Sequence, residues 1–140
     1  MGRKIYLSGP LFSRAEIEWG RRVKAFLDER LEGIEEGIEI LWPHEIPAGS
    51  AEEIFQANLQ AMNQCDLMVA MLDGPQVDDG TAWEIGYFFS SGKRVLGLRT
   101  DLRHAGEFEA SRVNLMVECS CVQIASSLEG LAAELKGLLC

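Results

Sequence analysis

Residues 67–92, Leu67-Met-Val-Ala-Met-Leu72 followed by Asp73-Gly-Pro-Gln-Val-Asp78-Asp79-Gly80-Thr-Ala-Trp-Glu84-Ile-Gly-Tyr-Phe-Phe-Ser-Ser91-Gly92, decide how this chain is built. The apolar run 67–72 does not alternate, which is the pattern of a strand covered on both faces at the centre of a parallel sheet. The segment 73–79 is rich in turn formers. A helix is expected from about Gly80 to Ser91, with Gly92 closing it at the C-cap. A buried strand feeding a helix through a loop is half of a β-α-β crossover, so the rest of the chain should repeat the alternation.

Working outward, it does. Residues 95–98 supply the next strand, and a polar loop with Asp101, Arg103 and His104 follows. Residues 122–124 read as the last strand. Leu128, Leu131, Ala132, Leu135, Leu138 and Leu139 then recur at helical spacing behind a Ser126/Glu129 capping box. Upstream, Ser50 and Glu53 form a capping box for a helix running to about Gln64, preceded by a short apolar run, 38–42, that Pro43 stops. The first strand is expected at residues 3–8, and Ser13 with Glu16 then caps a helix carrying Ile17, Val23, Leu27 and Leu31 on one face. Five strands separated by helices imply an α/β, doubly wound, five-stranded parallel sheet with flavodoxin-like or Rossmann-like order and helices on both faces. Residues 1–140 read as a single domain, with no internal repeat or linker.

The 140 residues are 47% hydrophobic and 25% charged, the balance of a globular chain. A formal charge of −9 would repel polyphosphate, so neither nucleic acid nor an anionic membrane surface is an expected partner. The first residues run straight into an apolar strand without the h-region of a signal peptide, and no stretch approaches a membrane span, so a cytoplasmic location is expected. Cys65, Cys119, Cys121 and Cys140 lack paired metal-ligand spacing and read as structural or free thiols. His44 and His104 lie far apart without a ligand partner, so no metal is expected. The first loop lacks the Ser/Thr/Gly-rich phosphate cradle of a flavin mononucleotide site, so no cofactor is expected.

In an open parallel sheet, ligands bind where the strands end. The loops to watch are therefore 8–13, 73–80 and 100–107. The second carries Asp73, Asp78 and Asp79, and Glu84 lies shortly beyond, within reach of the positive helix N-terminus that favours an ionised carboxylate. Gly80, four residues earlier on the same face, leaves room for a substrate. From spacing alone the plainer reading stands ahead: helix-capping aspartates and a solvated glutamate.

The motifs shift that balance. Lys4-Ile-Tyr-Leu-Ser-Gly-Pro-Leu-Phe12, Cys65-Asp-Leu-Met-Val-Ala70, Leu72-Asp-Gly, Asp78-Asp-Gly-Thr-Ala-Trp-Glu-Ile-Gly86 and Gly92-Lys resemble, in order and spacing over nearly the whole chain, the nucleoside 2-deoxyribosyltransferases. The resemblance implies that Glu84 attacks the anomeric carbon of a 2′-deoxynucleoside to form a covalent deoxyribosyl-enzyme. A free nucleobase or water then attacks from the opposite face, as in a retaining glycosidase. It implies that Asp78 contacts the base, with Asp79 as its substitute, and that the Tyr6 hydroxyl holds Glu84. Asn58 falls at a second base-facing position where many relatives carry aspartate; an amide cannot protonate a leaving group, which puts broad base specificity in doubt. Gly9, Phe12 and Gly80 complete the expected substrate contacts; Trp83, Trp19 and Phe12 are candidates to flank the base by stacking, but each lies on an apolar face where a core role is the plainer reading, and Phe12 is only weakly favoured. Asn114 matches a segment that reaches into a neighbouring subunit's site, implying a homodimer or dimer-based oligomer with shared sites, although its loop could instead cap a helix. The apolar Pro10-Leu-Phe12 favours an uncharged 5′-hydroxyl. Two alternatives remain: hydrolysis of deoxynucleoside 5′-monophosphates, and a non-catalytic nucleotide-binding module.

Overall fold

A computed structural model of the chain describes residues 2–34 and 37–140. Five strands, β1 (Lys4–Ser8), β2 (Glu39–Leu41), β3 (Leu67–Met71), β4 (Arg94–Leu98) and β5 (Gln123–Ala125), form one sheet in the order β2-β1-β3-β4-β5. Every neighbouring pair is parallel. This is the flavodoxin-like order expected from the alternation, and β3 at its centre is buried along its whole length. The helices are α1 (Arg14–Glu32), α2 (Ala51–Gln64), α3 (Asp79–Ser90), a single turn α4 (Leu115–Glu118) and α5 (Leu128–Leu139).

The strand pleat sorts side chains between two cores. Ile5, Leu7, Leu67, Val69 and Met71 point toward α1 and α5, where Val23, Leu27, Leu31, Leu131 and Leu135 meet them. Tyr6, Met68, Ala70 and Leu72 point the other way, onto Ala61 and Met62 of α2, Ile85 and Phe88 of α3, and Val117 of α4. Each fully buried Leu, Ile or Val adds about 1.5–3 kcal/mol by leaving water, so both layers are held mainly by such contacts.

Several local expectations need correction. Residues 122–124 become Gln123–Ala125, with Val122 half-exposed just before the strand. Helix α5 is capped by Ser127, whose hydroxyl accepts from Gly130 N, and not by Ser126 with Glu129. Glu129 turns instead to an exposed ion pair with Arg30. The other two capping serines are where expected, but their glutamates reach one residue further out: Glu16 accepts from Phe12 N and Glu53 from Gly49 N. Gly92, with φ of +75°, follows α3 in the left-handed conformation that stops a helix.

Candidate active site

The strand order reverses between β1 and β3, and the loops leaving these two strands open a crevice at their carboxyl ends. A cleft of about 870 Å³ lies there, between the first loop (Gly9, Leu11, Phe12), α2 (Ile54, Phe55, Asn58) and the start of α3 (Asp78, Asp79, Gly80, Trp83, Glu84). Gly9 packs closely on Met71: a β-carbon there would come 2.4 Å from the movable Cε and 3.1 Å from Cβ, so the methionine would have to shift. A β-carbon on Gly80 would meet only Asp78 Oδ2, at 3.4 Å, so the space above it is open.

Glu84 is the centre of the arrangement. The Tyr6 hydroxyl donates to its Oε2, and the Ser8 hydroxyl donates to Oε1 at 2.7 Å. Both donors are fully buried. The bond from Tyr6 agrees with the role implied by the resemblance. Ser8 was not among the expected site residues. Period-2 geometry puts Ser8 on the same face of the sheet as Tyr6, two residues earlier, but only the packing of α3 on that face brings it to Glu84.

The electrostatics of Glu84 differ from expectation. Helix α3 begins at Asp79, so Glu84 lies beyond its first turn, where the macrodipole has largely faded. Burial instead pushes its carboxyl above the ordinary range; hydrogen bonds from Tyr6 and Ser8 oppose the rise, and the charge of Asp78 adds to it. Burial, then the neighbouring Glu84, raises Tyr6 far above the usual phenol range, so it remains a proton-bearing donor.

Asp78 lies in the same cleft and is also the N-cap of α3: its Oδ2 accepts from Thr81 N and from Thr81 Oγ1, each at 2.9 Å. The capping and cleft readings of this residue are therefore compatible. Asp79 is exposed and accepts from the Gly80 backbone at 2.8 Å. Asn58 lines the cleft from α2.

The aromatic candidates separate. Phe12 is 81% exposed at the cleft rim, and Trp83 is 52% exposed there, stacked on Tyr87 and edge-on to Phe55. Neither is the core residue that its apolar surroundings in the sequence suggested. Trp19 packs with the α1/α5 layer across the sheet, so it does not face the cleft.

Asn114 is not brought to Glu84 within the chain. Its Oδ1 accepts from Met116 N and caps α4, and it lines a second cavity of about 560 Å³ with Gln76, Ile85, Phe89 and Met116. The two cavities take opposite faces of α3, with Trp83 and Glu84 on one and Ala82, Ile85, Gly86 and Phe89 on the other.

Behind the cleft, the fully buried Arg99 ties the ends of β3 and β4 together. Its guanidinium donates to the carbonyls of Leu72, Gly74 and Arg103. Asp73 accepts from Thr100 N, Thr100 Oγ1 and Asp101 N, and Asp101 accepts from Gly74 N. Asp73 thus braces the loop rather than joining the cleft carboxylates. Among the described residues, no three of His, Cys, Asp or Glu come together as a metal-binding group, and no helix is long and apolar enough to cross a membrane.

Comparison with known proteins gives the family and the fold. The profile of the nucleoside 2-deoxyribosyltransferase family matches residues 5–116. An uncharacterized protein of Schizosaccharomyces pombe is 32% identical over 110 residues, a match covering 71% of this chain and 51% of that protein, so the chain spans about half the length of this curated relative. Among solved structures, a conserved protein from Enterococcus faecalis is similar with a TM-score of 0.77 and 29% identity, over 99% of both chains. A 2-deoxyribosyltransferase from Leishmania mexicana shares the fold with a TM-score of 0.76 and 24% identity, over 96% of this chain and 97% of its own. A CMP N-glycosidase from Clostridium botulinum shares it with a TM-score of 0.61 and 20% identity, over 99% of this chain and 100% of its own.

Proposed function

This chain belongs to the nucleoside 2-deoxyribosyltransferase family, and from that membership we propose that it transfers 2-deoxyribose between nucleobases through a covalent intermediate on Glu84. The observation that carries the reading is the Glu84 carboxylate lining the cleft while Tyr6 and Ser8 hold its two oxygens from behind. In the first step a Glu84 oxygen bonds to C1′ and the C1′–N bond breaks, its electron pair leaving with the base. Asp78 hydrogen-bonds or protonates the departing ring nitrogen. In the second step a ring nitrogen of a free base attacks C1′ from the opposite face, its N–H proton passing back to Asp78, and the ester bond breaks, restoring the carboxylate with net retention. Asn58 can donate and accept toward the base but supplies no proton.

The cleft favours a nucleoside over its 5′-monophosphate. Its rim is apolar, with Leu11, Phe12, Ile54, Phe55 and Trp83, and its polar wall carries Asp78, Asp79 and Glu84. Among the described residues lining it there is no Lys, Arg or His. Carboxylates without a facing cation repel a phosphate dianion. Asn114 is exposed on the far face of α3, away from Glu84 of its own chain, and a dimer in which it serves the site of a second copy is part of the proposal.

The test is chromatography of deoxyinosine with and without free adenine, alongside deoxynucleoside 5′-monophosphates and a Glu84→Gln control. Deoxyadenosine formed only with intact Glu84 is the expected result. Base released from monophosphates alone would replace transfer with hydrolysis, and no turnover of any donor would leave a binding module.

A further inference from the structure

Tyr6 and Ser8 stand two residues apart on β1, so their side chains leave the same face of the sheet, the face covered by α3. They do not compete for one acceptor. The phenol takes Oε2 of Glu84, and the serine takes Oε1 at 2.7 Å. A carboxylate held by one donor still turns about its Cγ–Cδ bond. Held at both oxygens from one strand of a five-stranded sheet, it has a fixed plane.

The hydroxyl at position 8 has no packing reason to exist. Ser8 is fully buried, where an alanine would fill nearly the same space at lower desolvation cost, and a buried hydroxyl is tolerated only when it is bonded. Its bond goes to Glu84. We propose that Ser8 is a positioning residue for the reaction, fixing the plane of the Glu84 carboxylate so that an oxygen lone pair is aimed at the sugar when the substrate enters. This rests on the reading of Glu84 as the nucleophile.

The groups that face Glu84 are Tyr6 and Ser8 from β1 and Asp78 from the turn into α3, with Asp79 and Asn58 sharing the cleft wall. Of these, only Tyr6 and Ser8 donate to the carboxylate, and both favour its ionised form against the effect of burial. Removing Ser8 is therefore expected to move two readouts together.

The experiment titrates the Glu84 carboxyl by NMR in protein labelled with carbon-13 glutamate, the resonance being assigned by its loss in Glu84→Gln. Ser8→Ala is expected to raise the midpoint by about one pH unit, the scale of one hydrogen bond to a charged group. It is also expected to lower kcat for base exchange about tenfold or more with KM nearly unchanged, because misaim acts on the transition state. Ser8→Cys, a weaker donor of similar size, should fall between, and it carries the test if the alanine variant does not fold. A folded variant with an unmoved Glu84 midpoint overturns the proposal, as does a rise in KM with kcat intact. A wild-type protein that turns over no donor, with a Glu84 midpoint that still shifts in Ser8→Ala, removes the reaction assignment while keeping the hold of Ser8 on the carboxylate.

Discussion

Glu84, the proposed nucleophile, would act as a carboxylate, yet it is buried where ionisation is disfavoured. Its acid limb in a profile of kcat/KM against pH is expected above the ordinary glutamate value of about 4.3; a limb at or below that value would mean that the donors outweigh burial. The same shift has a consequence for stability. A carboxyl whose folded pKa is raised contributes stability fully below its unfolded pKa, and loses it as pH rises through the folded value. Glu84→Gln should therefore melt higher than the parent at neutral pH, with the difference closing toward about pH 4. Thermal melts across that range check it, and a parent that is the more stable at neutral pH would contradict it. Tyr6→Phe removes the other donor and is expected to lower kcat about tenfold or more with little change in KM; steady-state kinetics would show the reverse split if Tyr6 only filled the core.

At the scale of elements, Asp78 caps the first turn of α3 and lines the cleft, where it is the proposed acid. The two duties separate by substitution. Asparagine is as good an N-cap as aspartate, so Asp78→Asn should leave stability within a few tenths of a kcal/mol yet cut turnover, whereas Asp78→Ala should also cost about 1 kcal/mol. Paired melts and rates decide this, and an Asp78→Asn variant of full activity would reduce Asp78 to a cap. The β3 and β4 ends depend in turn on Arg99. Arg99→Met strands the carbonyls of Leu72, Gly74 and Arg103 away from their donor, and is expected to cost about 3 kcal/mol. Denaturant unfolding measures it; a loss below about 1 kcal/mol would show that water replaces the guanidinium.

Over the whole molecule, α3 separates the Glu84 cleft from the cavity lined by Asn114. If two copies complete each other's sites, Glu84→Gln and Asn114→Ala proteins that are each inactive should regain activity on mixing, because one site of a hybrid dimer keeps both residues. Random reassortment then returns about a quarter of the parent's rate, and no recovery in a confirmed hybrid would place both residues in separate roles. The sequence by itself determined the α/β alternation, the parallel sheet, the two-sided burial of β3 and two of the three capping serines, because strand period, helix period and caps are properties of neighbouring residues. Its motifs also named Tyr6, Asp78 and Glu84. Tertiary structure alone decided that Ser8 meets Glu84 across a separation of 76 residues, that burial rather than the helix dipole sets the acidity of Glu84, and that Arg99 joins two loops from within the core. Each of these depends on which strands lie side by side and what their side chains exclude from water, and a carboxylate's solvation belongs to the packed neighbourhood rather than to its place in the chain.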